Sequence, residues 1–417
     1  MPRQFFRATA LFDGVQMHQG AILEIDVGRV SAITNGLGLD LGPVSDLDPV
    51  SDLGAVSDLG PRLDLGAVSD LGAVSDLGAV SDLGAGLIVP GFLDLQVNGS
   101  GGLQVGAQTD ADALAAMCRT QMRLGTTGCL PTLITDTPET TRRVIEAGIA
   151  AAGVAGFLGL HLEGPHLDPR RKGAHDARLI RPMEQNDLAL LLWAARELPA
   201  LMVTLAPESV RLEQITALAQ AGVIVSLGHT DCTAQVAQQA MGAGAQCATH
   251  LFNAMSQLTN RAAGMVGAVL AGDGFVGLIA DGIHVDAVTL RVALAAKKTG
   301  VFLVSDCMAL TGSDAQSFEL GGRRIFRGDG RLTLQDGTLA GADLTLVQAV
   351  GRVTHLAGID HQRALAMATA IPAQVLGRRD IGHLVAGARA DFIHLLPDGS
   401  LGGVWVGGVR VGGVQIN

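Results

Sequence analysis

Glu163 closes the apolar run FLGLHLE, His229 follows IVSLG, and His250 follows CAT. One carboxylate and two imidazoles at the ends of separate apolar runs make a sensible ligand set for a catalytic divalent cation. Three protein donors leave positions for water and substrate. Asp306 ends a fourth run, VFLVSD. A carboxylate beside a metal-activated water can take its proton during attack on a carbonyl, then return it to the departing nitrogen. Each residue alone has a plainer reading: a buried His is usually a satisfied core residue, and an Asp after a strand often caps the next helix. The shared placement at strand ends favours chemistry.

Further residues suit a phosphorylated or acylated sugar. Asn253 and Ala254 follow His250 closely, and backbone amides there could hold phosphate oxygens. Arg261 could form a two-pronged ion pair with the same group. His175 in KGAH and His284 in ADGIH lie in segments after apolar runs, where either could donate to a carbonyl or phosphate.

These positions need a scaffold that brings strand ends together. Eight apolar segments qualify: GLIVPGFLDLQV, TTGCLPTL, FLGLHLEG, LMVTLAPE, VIVSLGH, QCATHLFN, FVGLIADGIH and VFLVSDCMA. Amphipathic helical segments are interspersed among them, which predicts a (β/α)8 barrel of the TIM type over residues 86–384. Gln96, Glu163, Glu208, His229, His250, Asp281 and Asp306 all fall where such a strand ends, the face on which these barrels build active sites. Alternating short strands occupy both chain ends, with Asp13-Gly14 and Asp398-Gly399 as turns. Residues 1–43 and 385–417 are therefore expected to pair into one small β-sandwich domain, giving an α/β chain of two structural parts.

Between them, residues 44–85 are seven hexads of the type VSDLGA. Shifted in frame they resemble the repeat of left-handed parallel β-helices, but seven hexads give barely two coils without caps, fewer than a solenoid needs. A solvent-exposed, flexible insertion with no catalytic part is expected. Its eight Asp and one Arg supply −7 of the chain's net charge of −11, so the remainder is unremarkable. No basic tract favours nucleic acid or an anionic membrane. The five Cys are scattered with no CxxC pair, which argues against a disulfide framework. With no signal-like or membrane-spanning apolar stretch, a soluble cytoplasmic protein is expected. There is no Tyr and only 3% of residues are aromatic, so the core must be aliphatic.

In order, HLEGPHL, KGAH, TLAPE, SLGHT, THLFNAM, ADGIHVD, LVSD and GTLAG closely resemble the N-acetylglucosamine-6-phosphate deacetylases of the amidohydrolase superfamily. The resemblance covers nearly the whole chain apart from the hexads. It implies hydrolysis of N-acetyl-D-glucosamine 6-phosphate to D-glucosamine 6-phosphate and acetate, in amino-sugar metabolism. By the same resemblance Glu163, His229 and His250 hold the metal, Asp306 moves the proton, and His175 polarises the acetamide. Asn253, Ala254, Arg261 and His284 would serve the sugar phosphate, with Arg261 reaching a neighbouring subunit's site in a homodimer, and Asp281 is expected among the substrate-binding residues. Ala174 and Leu339-Ala340-Gly341 would line the sugar pocket. Many amidohydrolases carry His-x-His at the end of the first strand, where this chain has Gln96-Val97-Asn98. Both amides are poor divalent-metal ligands, so one metal ion per subunit is expected, zinc first, with iron or another divalent ion as alternatives. Two other readings remain: a related amidase acting on another acyl substrate, and a non-catalytic scaffold whose hexads bind a partner.

Overall fold

The computed structural model describes residues 3–35 and 80–413. All but the last unit of the hexad tract lies outside that range, and so does the expectation of its flexibility.

Eight parallel strands form one sheet in sequence order: Phe92–Val97, Thr126–Ile134, Leu160–Glu163, Leu201–Leu205, Ile224–Leu227, Cys247–Ala248, Phe275–Leu278 and Val301–Leu303. They are almost wholly buried, which is why they read as continuous apolar runs rather than alternating ones. The first and last meet where the Asn98 N–H donates to the Cys307 carbonyl at 2.9 Å and the Asp306 N–H to the Gln96 carbonyl at 3.1 Å. The sheet thus closes into the expected barrel, and closure sets Gln96, Asn98 and Asp306 side by side. Helices cover it, with local starts written in the sequence. Thr137 caps Pro138–Ala150, whose proline sits in the first turn, and Thr345 with Gln348 forms a capping box on Leu346–Ala357.

GLIVPGFLDLQV, expected as one strand, is two. Leu87–Pro90 joins a six-stranded sheet of the small domain and Phe92–Val97 starts the barrel. Gly91 is the junction, and a Cβ there would sit 2.0 Å from Thr127 Oγ1, so only glycine allows the close crossing. A four-stranded sheet holds Gln4–Arg7, Ala21–Asp26, Arg29–Asn35 and Val80–Asp82. The six-stranded sheet combines Ala10–Phe12 and Met17–Gln19 with Phe392–Leu395, Leu401–Val406 and Val409–Gly412. Phe6, Phe392 and Trp405 meet in the small core, the last two stacked with centroids 4.7 Å apart, so both chain ends build the sandwich. The last hexad takes part as well: Val80–Asp82 runs parallel to Gln4–Arg7, with Arg7 paired to Asp82. It is a sheet edge rather than part of a loop.

An element beyond those expected follows the eighth strand. Ser317–Leu320, Arg323–Gly328, Arg331–Leu334 and Leu339–Ala342 form an antiparallel sheet with its own small core around Ile325 and Leu332. Among the described residues, no helix is long and apolar enough to cross a membrane.

Candidate active site

Beneath the strand ends the barrel interior holds a polar layer. His161 Nε2 lies 2.7 Å from Thr204 Oγ1, and Thr249 Oγ1 lies 2.7 Å from both Thr204 Oγ1 and Ser226 Oγ. Burial lowers the His161 pKa to about 4, so it stays neutral and serves as a hydrogen-bonding platform.

Directly above, Glu163, His229 and His250 converge, their donor atoms all within 4.8 Å of one another. His229 Nε2 and His250 Nε2 stand 3.1 and 3.0 Å from Glu163 Oε1 and 3.2 Å from each other. His229 Nδ1 lies 2.7 Å from the Arg171 carbonyl, an obligate acceptor, so Nδ1 carries the proton and Nε2 presents its lone pair. Two imidazole nitrogens and a carboxylate oxygen facing one point fit a divalent cation of the zinc or iron type. Burial alone would raise the Glu163 pKa, but the two histidines hold it well below the usual range.

Asp306 stands beside this cluster with its Oδ1 fixed by two amides, Asn98 Nδ2 at 2.7 Å and Gln96 Nε2 at 3.1 Å. Among the described residues nothing donates to Oδ2. Burial, then the nearby Glu163 carboxylate, pushes the Asp306 pKa up to about 6. His175 faces the same space, its Nδ1 accepting from the Thr135 N–H at 3.3 Å and lying 2.8 Å from Thr135 Oγ1. Burial, then the neighbouring His229, lowers its pKa to about 3. A neutral ring that accepts at Nδ1 must carry its proton on Nε2, 3.9 Å from Glu163 Oε2. His175 is therefore a fixed N–H donor aimed at the site.

The backbone is strained here. Seven non-glycine residues among those described have positive φ, and four belong to this site: His229 at 48°, His250 at 29°, Ala254 at 49° and Asp306 at 49°, with Phe252 at 74° between two of them in the chain. Such conformations cost about 1–3 kcal/mol each and persist where surrounding structure imposes them.

A cavity of about 180 Å³ opens over these groups. Of the sequence-predicted residues, it is lined by Glu163, Ala174, His175, His229, His250, Asn253, Ala254, His284, Asp306, Leu339, Ala340 and Gly341. The new antiparallel sheet thus supplies a wall. Asp281 does not line the cavity: its carboxylate lies 2.6 Å from His284 Nδ1 and turns that ring's Nε2 away from itself. Arg261 is exposed on the segment after Met255 and is also absent from the lining. The Asn253 N–H is already given to the His250 carbonyl, while no acceptor among the described residues takes the Ala254 N–H. Sequence reasoning missed Asn98 as a partner of Asp306, Thr135 behind His175, and Arg171 behind His229.

The amidohydrolase family model matches residues 87–411. An N-acetylgalactosamine-6-phosphate deacetylase of Shewanella sp. (strain ANA-3) is 37% identical over 326 residues, covering 77% of this chain and 82% of that protein. The crystal structure of N-acetylglucosamine-6-phosphate deacetylase from Pasteurella multocida superposes with a TM-score of 0.85 at 31% identity, covering 98% of this chain and 99% of that one. A mutant of the Mycobacterium smegmatis N-acetyl-D-glucosamine-6-phosphate deacetylase, solved in complex with N-acetyl-D-glucosamine-6-phosphate, gives 0.84 at 28% identity, covering 99% and 100%. With Glu163, His229 and His250 converging at the strand ends of the barrel, the chain belongs to the amidohydrolase family of metal-dependent amide hydrolases, in the branch of the N-acetylhexosamine-6-phosphate deacetylases.

Proposed function

We propose that this chain hydrolyses N-acetyl-D-glucosamine 6-phosphate to D-glucosamine 6-phosphate and acetate, a step of amino-sugar catabolism. The observation that carries the reading is the meeting of Glu163, His229 and His250 with an amide-anchored Asp306 and the N–H of His175 in one cavity. A divalent cation held by the three ligands, zinc first and iron or another divalent ion otherwise, supplies a polarised carbonyl and an acidified water. Asp306 takes the water proton through Oδ2 as the water oxygen bonds to the acetyl carbon, then gives that proton to the amide nitrogen as the C–N bond breaks, leaving an amine and acetate. The His175 N–H donates to the carbonyl oxygen as charge builds there. Gln96 and Asn98 occupy the places where imidazoles would hold a second cation, which supports one metal per subunit.

At the sugar end, His284 and the Ala254 N–H are the anion-facing groups. No Lys or Arg among the described residues lines the cavity. This supports a homodimer in which Arg261, exposed on its own subunit, completes the phosphate site of the other. Five buried free thiols support a reducing, cytoplasmic setting.

The Shewanella relative favours a second reading, the galactosamine epimer as substrate. Values of kcat/KM on both N-acetylhexosamine 6-phosphates and on unphosphorylated N-acetylglucosamine decide between them. N-acetylglucosamine 6-phosphate should be the best of the three. A larger value for the galacto epimer would install the second reading, and a larger value for the unphosphorylated sugar would remove both.

A further inference from the structure

The two imidazoles of the metal-ligand cluster are held differently. His250 Nδ1 is buried with no partner among the described residues, so nothing outside the cluster selects its tautomer. His229 Nδ1 donates to the Arg171 carbonyl at 2.7 Å, and this bond alone presents a defined lone pair to the metal position. The location of that carbonyl is therefore a property of the metal site.

Several contacts fix it. The Arg171 guanidinium grips Asp231 Oδ1 through Nε at 2.8 Å and Nη2 at 2.6 Å, and Asp231 lies two residues beyond His229. The Asp168 N–H donates to the His229 carbonyl at 2.9 Å, and the Arg171 N–H to the Asp168 carbonyl at 2.9 Å. Asp231 is held in turn: its N–H donates to Glu208 Oε1 at 2.9 Å, and Arg170 Nη1 lies 3.3 Å from its Oδ2. The path from His229 through Arg171 and Asp231 returns to His229, forming a closed ring of contacts. Two residues on, Gly173 has φ +54°, and a Cβ there would lie 3.3 Å from His229 Cε1, so the same segment also covers the imidazole. It then carries His175. His229 itself holds a positive φ of 48°, a conformation that needs external support.

We propose that the Arg171–Asp231 ion pair is a clasp that positions the Arg171 carbonyl and thereby sets metal affinity at His229. Arg171 and Asp231 are positioning residues, acting only through the imidazole. The side chains are 36% and 28% exposed, and an ion pair so placed contributes little to global stability. Its effect is concentrated on one acceptor atom, and loss of such outer contacts typically lowers metal affinity 10- to 100-fold. The inference rests on Glu163, His229 and His250 being the ligands, and the experiment separates the two claims.

Zinc affinity is measured by chelator competition on purified protein, alongside the melting temperature of the metal-free form. Arg171→Ala and Asp231→Asn should each weaken zinc binding by about tenfold or more, with the metal-free melting temperature close to that of the parent. Arg171→Lys, which keeps a cation opposite Asp231, should recover most of the loss. Arg178→Ala, which removes the separate Arg178–Asp176 pair on the same segment, should leave affinity unchanged. If Glu163→Gln loses zinc but Arg171→Ala and Asp231→Asn bind it as the parent does, the clasp is refuted and the ligand set stands. If Glu163→Gln binds zinc as the parent does, the ligand set itself is wrong. Equal weakening by Arg178→Ala would also overturn the clasp, since the effect would then follow loop stability.

Discussion

Gln96 Nε2 lies 3.1 Å from Asp306 Oδ1 and 3.2 Å from Glu163 Oε1, so one amide group bridges the proposed proton carrier and a proposed metal ligand. Two buried carboxylates repel, and the bridge gives each a donor without adding charge. Asn98 adds a second donor to the same Asp306 oxygen. The carboxylate is thereby held at one end with its other oxygen available. Asp306→Asn keeps the shape and an acceptor for Asn98 but cannot take a proton. Turnover should fall by a factor of about 10² to 10⁴ with metal content at the parental level, measured by steady-state kinetics and elemental analysis. Parental turnover in that variant would remove Asp306 from the mechanism.

The same residue sets a pH dependence. Burial and the Glu163 carboxylate raise its pKa to about 6, and only the ionised form can accept a proton. A cation held at Glu163 opposes that rise. The acid limb of kcat/KM should therefore have its midpoint no higher than about pH 6, with turnover falling as pH drops through it. The raised folded-state value also means that stability from this group is present below its unfolded pKa and lost as pH rises through the folded one. Metal-free Asp306→Asn should accordingly gain stability relative to the parent at pH 8 and lose that advantage towards pH 4, as followed by thermal melts.

His175 is held as an Nε2–H donor by Thr135, and burial keeps it neutral across the working range. Replacing it by Ala removes the donor proposed to meet charge on the carbonyl oxygen. The expected loss in kcat is about 10²- to 10³-fold with a much smaller change in KM. A KM effect with unchanged kcat would mean that His175 only binds substrate.

Asn35 and Val80 end strands on opposite edges of one four-stranded sheet, separated by the strands Ala21–Asp26 and Gln4–Arg7. Crossing three strand spacings with an axial offset of about three residues requires roughly 18 Å, which about eight extended residues can span. Removing residues 50–73, four whole hexads, leaves ample chain for that crossing. The shortened protein should keep kcat and KM within about twofold, since no site residue lies in the tract. A large loss of activity in a folded protein would assign the hexads a role that none of the site contacts shows.

The barrel was legible because strands buried on both faces leave unbroken apolar runs, and because each run ends on a side chain too polar for a core. The convergence of Glu163, His229 and His250 followed from side-chain type together with placement at the ends of apolar runs. Burial on both sides also hid the break at Gly91, since a crossing between two sheets changes neither hydropathy nor length. The sheet over 317–342 did carry signals, in the turn pairs Gly321-Gly322, Asp329-Gly330 and Asp336-Gly337 that separate its strands. They escaped a reading centred on long apolar runs. Arg171 and Thr135 were invisible for a different reason: the groups that reach His229 and His175 include a carbonyl and an N–H that any residue type possesses. Asp281 has a ligand's chemistry but spends its carboxylate on His284. The last hexad reads like its six neighbours, and only the edge beside Gln4–Arg7 makes it a strand.

Acetate release from N-acetylglucosamine 6-phosphate, followed before chelation, after it, and after divalent metal is restored, tests the central claim most directly. The structure predicts release that stops when the cation is withdrawn from Glu163, His229 and His250 and returns with zinc or iron. Release that persists in fully metal-free protein, or none from folded, metal-loaded protein, would contradict it.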